Sequence, residues 1–196
     1  MSVRVLEALK AKFGDAVIET HSEFGDDTAV MSPSAWKAAC RFLREDPSMA
    51  FDMMVDLCGV DYPEREPRFE IVLHLYSVSK RHRVRLKARV GDLEGDSAEI
   101  DSVTDVWTGA NWFERETFDL LGVHFRGHPD LRRILMYPEF VGHPLRKDYP
   151  AQKTQPLVPY RTPEEAGLPL EKIAPFGADE GMPFGRNAWA SERGDN

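Results

Sequence analysis

The chain has 196 residues, 42% of them hydrophobic, and a formal net charge of −8. That length suits one ordinary domain with an appendage, and the acidic balance argues against a generic nucleic-acid binder, which needs a basic footprint. Two cysteines, Cys40 and Cys58, cannot supply the four thiolates of an iron–sulfur cluster or a structural zinc site, and no apolar run approaches the roughly 18 residues that suggest a membrane span.

The N-terminus intersperses charges with apolar residues and lacks the apolar core of a signal peptide. Residues 3–13 read as a helix with Leu6, Leu9 and Phe13 on one face and Gly14 as its stop. Strand-like runs at 16–21 and 28–31 flank a turn signal, Gly25-Asp26-Asp27. Ser32-Pro33 then predicts a second helix with Ser32 as N-cap. Trp36, Ala39, Cys40 and Leu43 share a helical stripe, which makes Cys40 a core residue rather than a redox centre.

Phe51, Met53, Val55 and Leu57 alternate as a strand does. So do Phe69, Ile71, Leu73 and Leu75, and again Val84, Leu86, Ala88 and Val90. A hairpin turning at Ser79-Lys80 places Leu73 opposite Leu86, Ile71 opposite Ala88 and Glu70 opposite Arg89. The interleaved Arg83, Arg85, Lys87 and Arg89 form a solvated outer face, since no stacking aromatics accompany them as an RNA-binding sheet requires. Residues 101–122 read as a short turn through Trp107 and then a helix from about Ala110. Phe113, Thr117, Leu120 and Leu121 lie on one side of it, and Gly122 ends it. The order predicts an α+β fold over residues 1–122, a two-layer domain with a mixed, largely antiparallel sheet and flanking helices.

Beyond Gly122 the polymer changes. Ten of the fourteen prolines lie between Pro129 and Pro183, and each removes a backbone donor and disfavours helix in its predecessor. Residues 123–160 are therefore expected to be a long extended arm, and 161–196 a proline-rich tail with flexible last residues and one helix start at Thr162-Pro163. Aromatic and apolar anchors stud the arm, as in segments that lie along another protein. Residues 123–161 hold seven basic and three acidic side chains, a net of +4, and since the whole chain is at −8 the remainder carries −12. Such an arm suits a carboxylate-lined partner surface, and on this reading the body folds without it.

Two groups of residues invite a catalytic reading. Gly127-His128-Pro129 and Gly142-His143-Pro144, with Asp130, Asp148 and Glu116, could form a metal or acid–base site, but the spacing matches no zinc pattern and each proline suggests a rigid turn. Glu114, Arg115, Glu116 and Asp119 crowd one helix, where a solvated or partner-facing surface with an Arg115–Asp119 pair is the expectation.

Taken as a string, residues 114–150 resemble the signature of the C-type subunit of the proton-pumping NADH:quinone oxidoreductase (respiratory complex I), the 30 kDa subunit family. Glu114-Arg115-Glu116, Asp119, Leu120-Leu121, His128, Arg132 and Ile134-Leu135 fill the first block without a gap, and residues 142–150 resemble a second. The resemblance implies a structural and assembly subunit that is an enzyme only as part of the complex, with no catalytic, cofactor or metal residue of its own. FMN, iron–sulfur clusters and quinone would be bound by other subunits. The arm would wrap the D-type (49 kDa) subunit, which with the B-type subunit forms the quinone pocket, on the cytoplasmic side of the bacterial inner membrane. The implied interface residues are Glu114, Arg115, Glu116, Asp119, Gly122, Phe125, Gly127, His128, Pro129, Arg132, Arg133, Leu135, Gly142, His143, Pro144, Leu145, Arg146, Lys147, Asp148 and Tyr149. The alternatives are the equivalent subunit of a membrane-bound hydrogenase-type complex and, in another class, an independent histidine-based enzyme.

Overall fold

The structure, a computed structural model, describes residues 3–95 and 97–158; the expectations for the tail from residue 161 lie outside them. Contacts gather the chain up to Pro156 into one compact unit. Of the second unit only Leu157 and Val158 are described, and both are exposed.

Helix α1 (Val3–Phe13) ends where Gly14 takes φ +50, and it buries Val5, Leu6 and Leu9. Strands β1 (Val17–Glu23) and β2 (Asp26–Met31) form a hairpin whose turn residues are Phe24 and Gly25, at φ 55 and 85. Both central residues with positive φ define a tight primed turn, so Asp26 and Asp27 fall in the strand instead of the loop. Helix α2 (Trp36–Glu45) begins later than Ser32-Pro33 suggested. Ser32 instead accepts the Ala35 N–H on its carbonyl oxygen at 3.0 Å, its hydroxyl pairs with Ser34 at 2.8 Å, and a turn intervenes before the helix. Trp36, Ala39, Cys40 and Leu43 are buried as their spacing required, and burial pushes the Cys40 thiol pKa well up.

Strands β3 (Met53–Asp61), β4 (Phe69–Ser77) and β5 (His82–Val90) complete a five-stranded mixed sheet of order β1-β2-β5-β4-β3. Only the β2–β5 pairing is parallel. The β4–β5 register is the expected one, Leu73 with Leu86, Ile71 with Ala88 and Glu70 with Arg89. Its loop is wider than two residues: strand pairing stops at Ser77 and His82, and Arg81 turns the chain at φ 54. Phe69, Ile71, Leu73, Leu75, Val84, Leu86 and Ala88 face the helices and form the core with α1 and α2. On the opposite face Lys87 and Arg89 pair with Glu70 at 2.7 and 3.4 Å, and Arg89 also reaches Glu19 at 3.1 Å.

One correction concerns residues 99–126. Asp101 does not begin a helical stretch: Glu99–Asp101 is strand β6, paired in parallel with β7 (His124–Arg126). Helix α3 (Ala110–Leu121) connects them, making a miniature βαβ unit. The first residues of the expected arm are thus part of the body, with Val123 and Phe125 in the core. Helix α3 lies close to β3, where Gly59 makes room: a Cβ there would stand 2.5 Å from Leu121 Cδ1 and 3.0 Å from Thr117 Cγ2.

Candidate interaction site

An α-helix leaves its last four carbonyls without intrahelical partners. In α3 every one of these is satisfied. Gly122, in the left-handed region at φ 81, donates its N–H to Phe118 O at 2.8 Å. His143 Nδ1 donates to Asp119 O at 2.9 Å, Leu145 N to Leu120 O at 3.0 Å, and Arg146 Nε to Leu121 O at 2.6 Å. The second signature block is therefore the C-terminal cap of the helix that carries the first. The Arg146 charge also lies at the negative end of the helix dipole. Gly122 is the seat of this cap, since a Cβ on it would stand 2.6 Å from the Arg146 guanidinium and 2.7 Å from the His143 ring.

Asp119 is the hub of the first block and is fully buried. Arg133 Nη1 donates to its Oδ1 at 2.8 Å, while the backbone N–H groups of Ile134, Leu135 and Met136 converge on its Oδ2 at 3.1, 2.8 and 2.8 Å. Burial by itself would raise the carboxyl pKa. The three N–H groups and Arg133 outweigh it and hold the pKa below the usual carboxylate range. The expected Arg115–Asp119 pair does not form; Arg115 instead donates to the carbonyls of Arg132 and Arg133 at 3.1 and 3.2 Å. The choice has a physical reason. Asp119 faces inward, where only backbone donors and one arginine fork can reach it, whereas Arg115 is half-buried and stacks over Trp112.

A second anchor lies at the ends of β3 and β4. Asp61 and Arg68, both nearly inaccessible, form a bidentate pair at 2.7 and 2.9 Å. Arg68 Nη1 also donates to Asp148 at 2.9 Å, and the Lys147 N–H donates to Asp61 at 2.7 Å. Burial pushes the Asp61 pKa up, but the Arg68 fork and the Lys147 N–H more than offset it and leave it lowered. Arg146 completes the anchor with a bond to Gly95 O at 2.8 Å, and Arg68 and Arg146 both lie over the Phe69 ring, at 5.2 and 5.4 Å. Asp61, Arg68 and Gly95 were not singled out by the sequence. The one available sign was a charged residue at each mouth of the loop between two strands.

The remaining signature residues sort by exposure. Glu114 is completely buried, which the solvated-surface expectation for its cluster missed. Its Oε1 accepts the Val103 N–H at 2.7 Å and its Oε2 has no partner among the described residues. Burial raises its pKa to about 7, against which the Val103 bond works only in part. His128 Nδ1 accepts the Asp130 N–H at 3.0 Å and its Nε2 meets Asn111 O at 3.3 Å, while His143 is committed to Asp119 O. Burial lowers the pKa of both rings. The two histidines thus serve separate backbone sites, and among the described residues no group of three or more His, Cys, Asp or Glu is placed to hold a metal. Gly127 and Gly142 turn the chain at φ 77 and 96. Tyr149 stacks on Phe140 at 6.0 Å and accepts a hydrogen bond from Gln155. Glu116, Pro129, Arg132, Leu135, Leu145 and Lys147 are exposed. The Arg132 guanidinium pairs with Asp130, two positions away, at 2.9 Å.

The buried polar groups of the signature are therefore turned inward, an arrangement that rigidifies the arm, while its exposed side chains mix apolar ones such as Leu135 and Leu145 with charged ones such as Glu116, Arg132 and Lys147. The comparisons agree with a subunit of an assembly. A sequence model of the respiratory-chain NADH dehydrogenase 30 kDa subunit matches residues 29–155. The chain is 45% identical over 172 residues to the NADH-quinone oxidoreductase C 2 subunit of Rhizobium etli, covering 88% of this chain and 81% of the relative. It is 47% identical over 148 residues to the corresponding C subunit of Thiobacillus denitrificans, covering 72% and 73%. Among solved structures, a chain of the membrane-bound sulfane sulfur reductase, an archaeal respiratory membrane complex, shares the fold with a TM-score of 0.64 at 24% identity, over 77% of this chain and 86% of that one. The chain belongs to the 30 kDa subunit family of the respiratory-chain NADH dehydrogenase. Among the described residues no helix is long and apolar enough to cross a membrane.

Proposed function

We propose that the chain is a cofactor-free scaffold subunit of NADH-quinone oxidoreductase, taking part in electron transfer from NADH to quinone only as a member of the assembled enzyme. It joins the complex peripherally, on the cytoplasmic side of the bacterial membrane, against the D-type and B-type subunits that form the quinone pocket. FMN, the iron–sulfur clusters and quinone are bound by those and other chains. The observation that carries this reading is the division of labour within residues 119–149. Asp119, Arg133, His143 and Arg146 spend their polar groups within the chain, while Leu135, Tyr137, Val141 and Leu145 are 58, 40, 51 and 55% exposed. Large apolar side chains held outward on a polar framework are the anatomy of an interface core. Relatives at 45–47% identity that are named as NADH-quinone oxidoreductase subunits support this assembly over a hydrogenase-type one.

The test is a Leu135→Asp/Leu145→Asp double variant. Its isolated chain is expected to keep the wild-type circular dichroism and melting temperature. The two quinone-pocket subunits are expected to be lost from affinity purification of the complex. Purification of a complete, active complex with this variant would refute the interface.

A further inference from the structure

Trp36 and Trp107 lie in the core, but Trp112 on α3 is 62% exposed. An indole left in water forgoes the burial of a very large apolar surface. Tryptophan and arginine are also the residue types most enriched among those that dominate binding at interfaces. The Trp112 ring is braced. The Arg115 guanidinium lies over it at 5.3 Å, in cation–π contact. Arg115 is itself fixed to the arm, with Nε donating to Arg132 O at 3.1 Å and Nη2 to Arg133 O at 3.2 Å. Trp112, Arg115 and the first part of the arm therefore form one continuous surface.

The charge of Arg115 has no counterpart within the chain. The residue is half-buried, and a charge taken partly out of water is ordinarily paired. Among the described residues no carboxylate pairs with it and its Nη1 has no acceptor. The acids around it are committed elsewhere. Asp119 binds Arg133 at 2.8 Å, Asp130 binds Arg132 at 2.9 Å, and Glu114 is buried on the Val103 N–H. Glu116 is the next residue in the chain, but consecutive residues of a helix do not face each other. An apolar ring and an unpaired guanidinium thus stand side by side on a rigid helix.

We propose that Trp112 and Arg115 form a two-point anchor for another subunit of the complex, which lays an apolar side chain on the indole and directs an aspartate or glutamate carboxylate at the open Nη1 of Arg115. A guanidinium fork suits that carboxylate. Two of the arm's own arginines are less available to it, since Arg133 and Arg146 are committed to Asp119 and to main-chain carbonyls. This inference rests on the scaffold reading above and adds to it a residue, Trp112, that precedes the signature.

Photo-cross-linking in the intact complex tests it, with p-benzoylphenylalanine in place of Trp112. The expected product joins position 112 to a peptide of another subunit that carries an aspartate or glutamate beside an apolar residue. Changing that acid to its amide should speed release of this chain from the complex by about tenfold or more, and so should Trp112→Ala. Trp112→Phe should hold release near the wild-type rate. The isolated Trp112→Ala chain should melt close to the wild type, because the ring stands mostly in solvent. Cross-links confined to this chain or to a second copy of it overturn the proposal, as does wild-type release of the Trp112→Ala chain. Wild-type release after the acid is changed to its amide overturns it as well. If the chain enters the complex but one of these results is found, only the anchor falls; if the wild-type chain is absent from the complex, the scaffold reading falls with it.

Discussion

Glu114 shows how far a residue's role departs from its appearance in the sequence. It opens a string of charges, yet its carboxyl is buried and its pKa is raised to about 7. An acid whose folded pKa lies above its unfolded value keeps the fold most stable at low pH. Its contribution is lost as pH rises from about 4.5, and the loss is complete above about 7. The penalty at neutral pH is on the order of 3 kcal/mol. Glu114→Gln is therefore expected to equal the wild type at pH 5 and exceed it at pH 8, read as urea midpoints. An unchanged pH slope in the variant would contradict this. Asp119 has the opposite sign. Its pKa is depressed, so its stabilisation is present above the ordinary carboxylate pKa and is lost as pH falls through the folded value. Asp119→Ala strands Arg133 and three N–H donors, and is expected to cost roughly 3–5 kcal/mol in denaturant unfolding.

At the scale of elements, Gly122 joins helix termination to arm seating. Gly122→Ala meets a left-handed φ, costing about 1–2 kcal/mol, and a Cβ that would press on Arg146 and His143. The expected outcome is a lower melting temperature together with faster protease cleavage within residues 127–150. The elements also differ in how legible they were. The β4–β5 hairpin could be read to the register because its two apolar rows are local and strictly alternating. The α2 stripe was legible for the same reason, though its start was not, since Ser32 caps a turn that precedes the helix. β6 and β7 have three residues each, too few for periodicity to show, and they exist because α3 brings them together. The acceptors of residues 134–136 and of Arg146 were illegible: they lie 15 to 51 positions away in sequence, and no local pattern encodes such a distance. What the sequence carried clearly was that residues 114–150 act as a unit. Which way its polar groups point needed the fold.

At the scale of the whole molecule, the arm is both an exterior surface and part of its own scaffold. The expectation that the body folds without it is revised by the helix cap and by the Asp61–Arg68–Asp148 cluster. Truncation after Arg126 should destabilise residues 1–126 by several kcal/mol, roughly 1–3 for each buried polar group left without a partner. Thermal melting of the truncated chain measures this, and a melting temperature equal to the full chain's would restore the autonomous body. Loss of partner binding on truncation therefore cannot separate a missing contact from a weakened fold. The surface double variant can, because Leu135 and Leu145 hold their side chains in solvent.

The capping of α3 by residues 143–146 also sets an order in time. The helix is written first, and the groups that close its end are written 22 to 25 residues after Leu121 and its neighbours. At about 5–20 residues per second of synthesis, the last turn waits on the order of 1–5 seconds for its partners. During that interval the carbonyls of 119–121 are open to water, and the nascent chain lacks the seat on which its own outer surface is later displayed. The surface proposed above for contact with other subunits thus gains its seat only after residues 143–146 have been made.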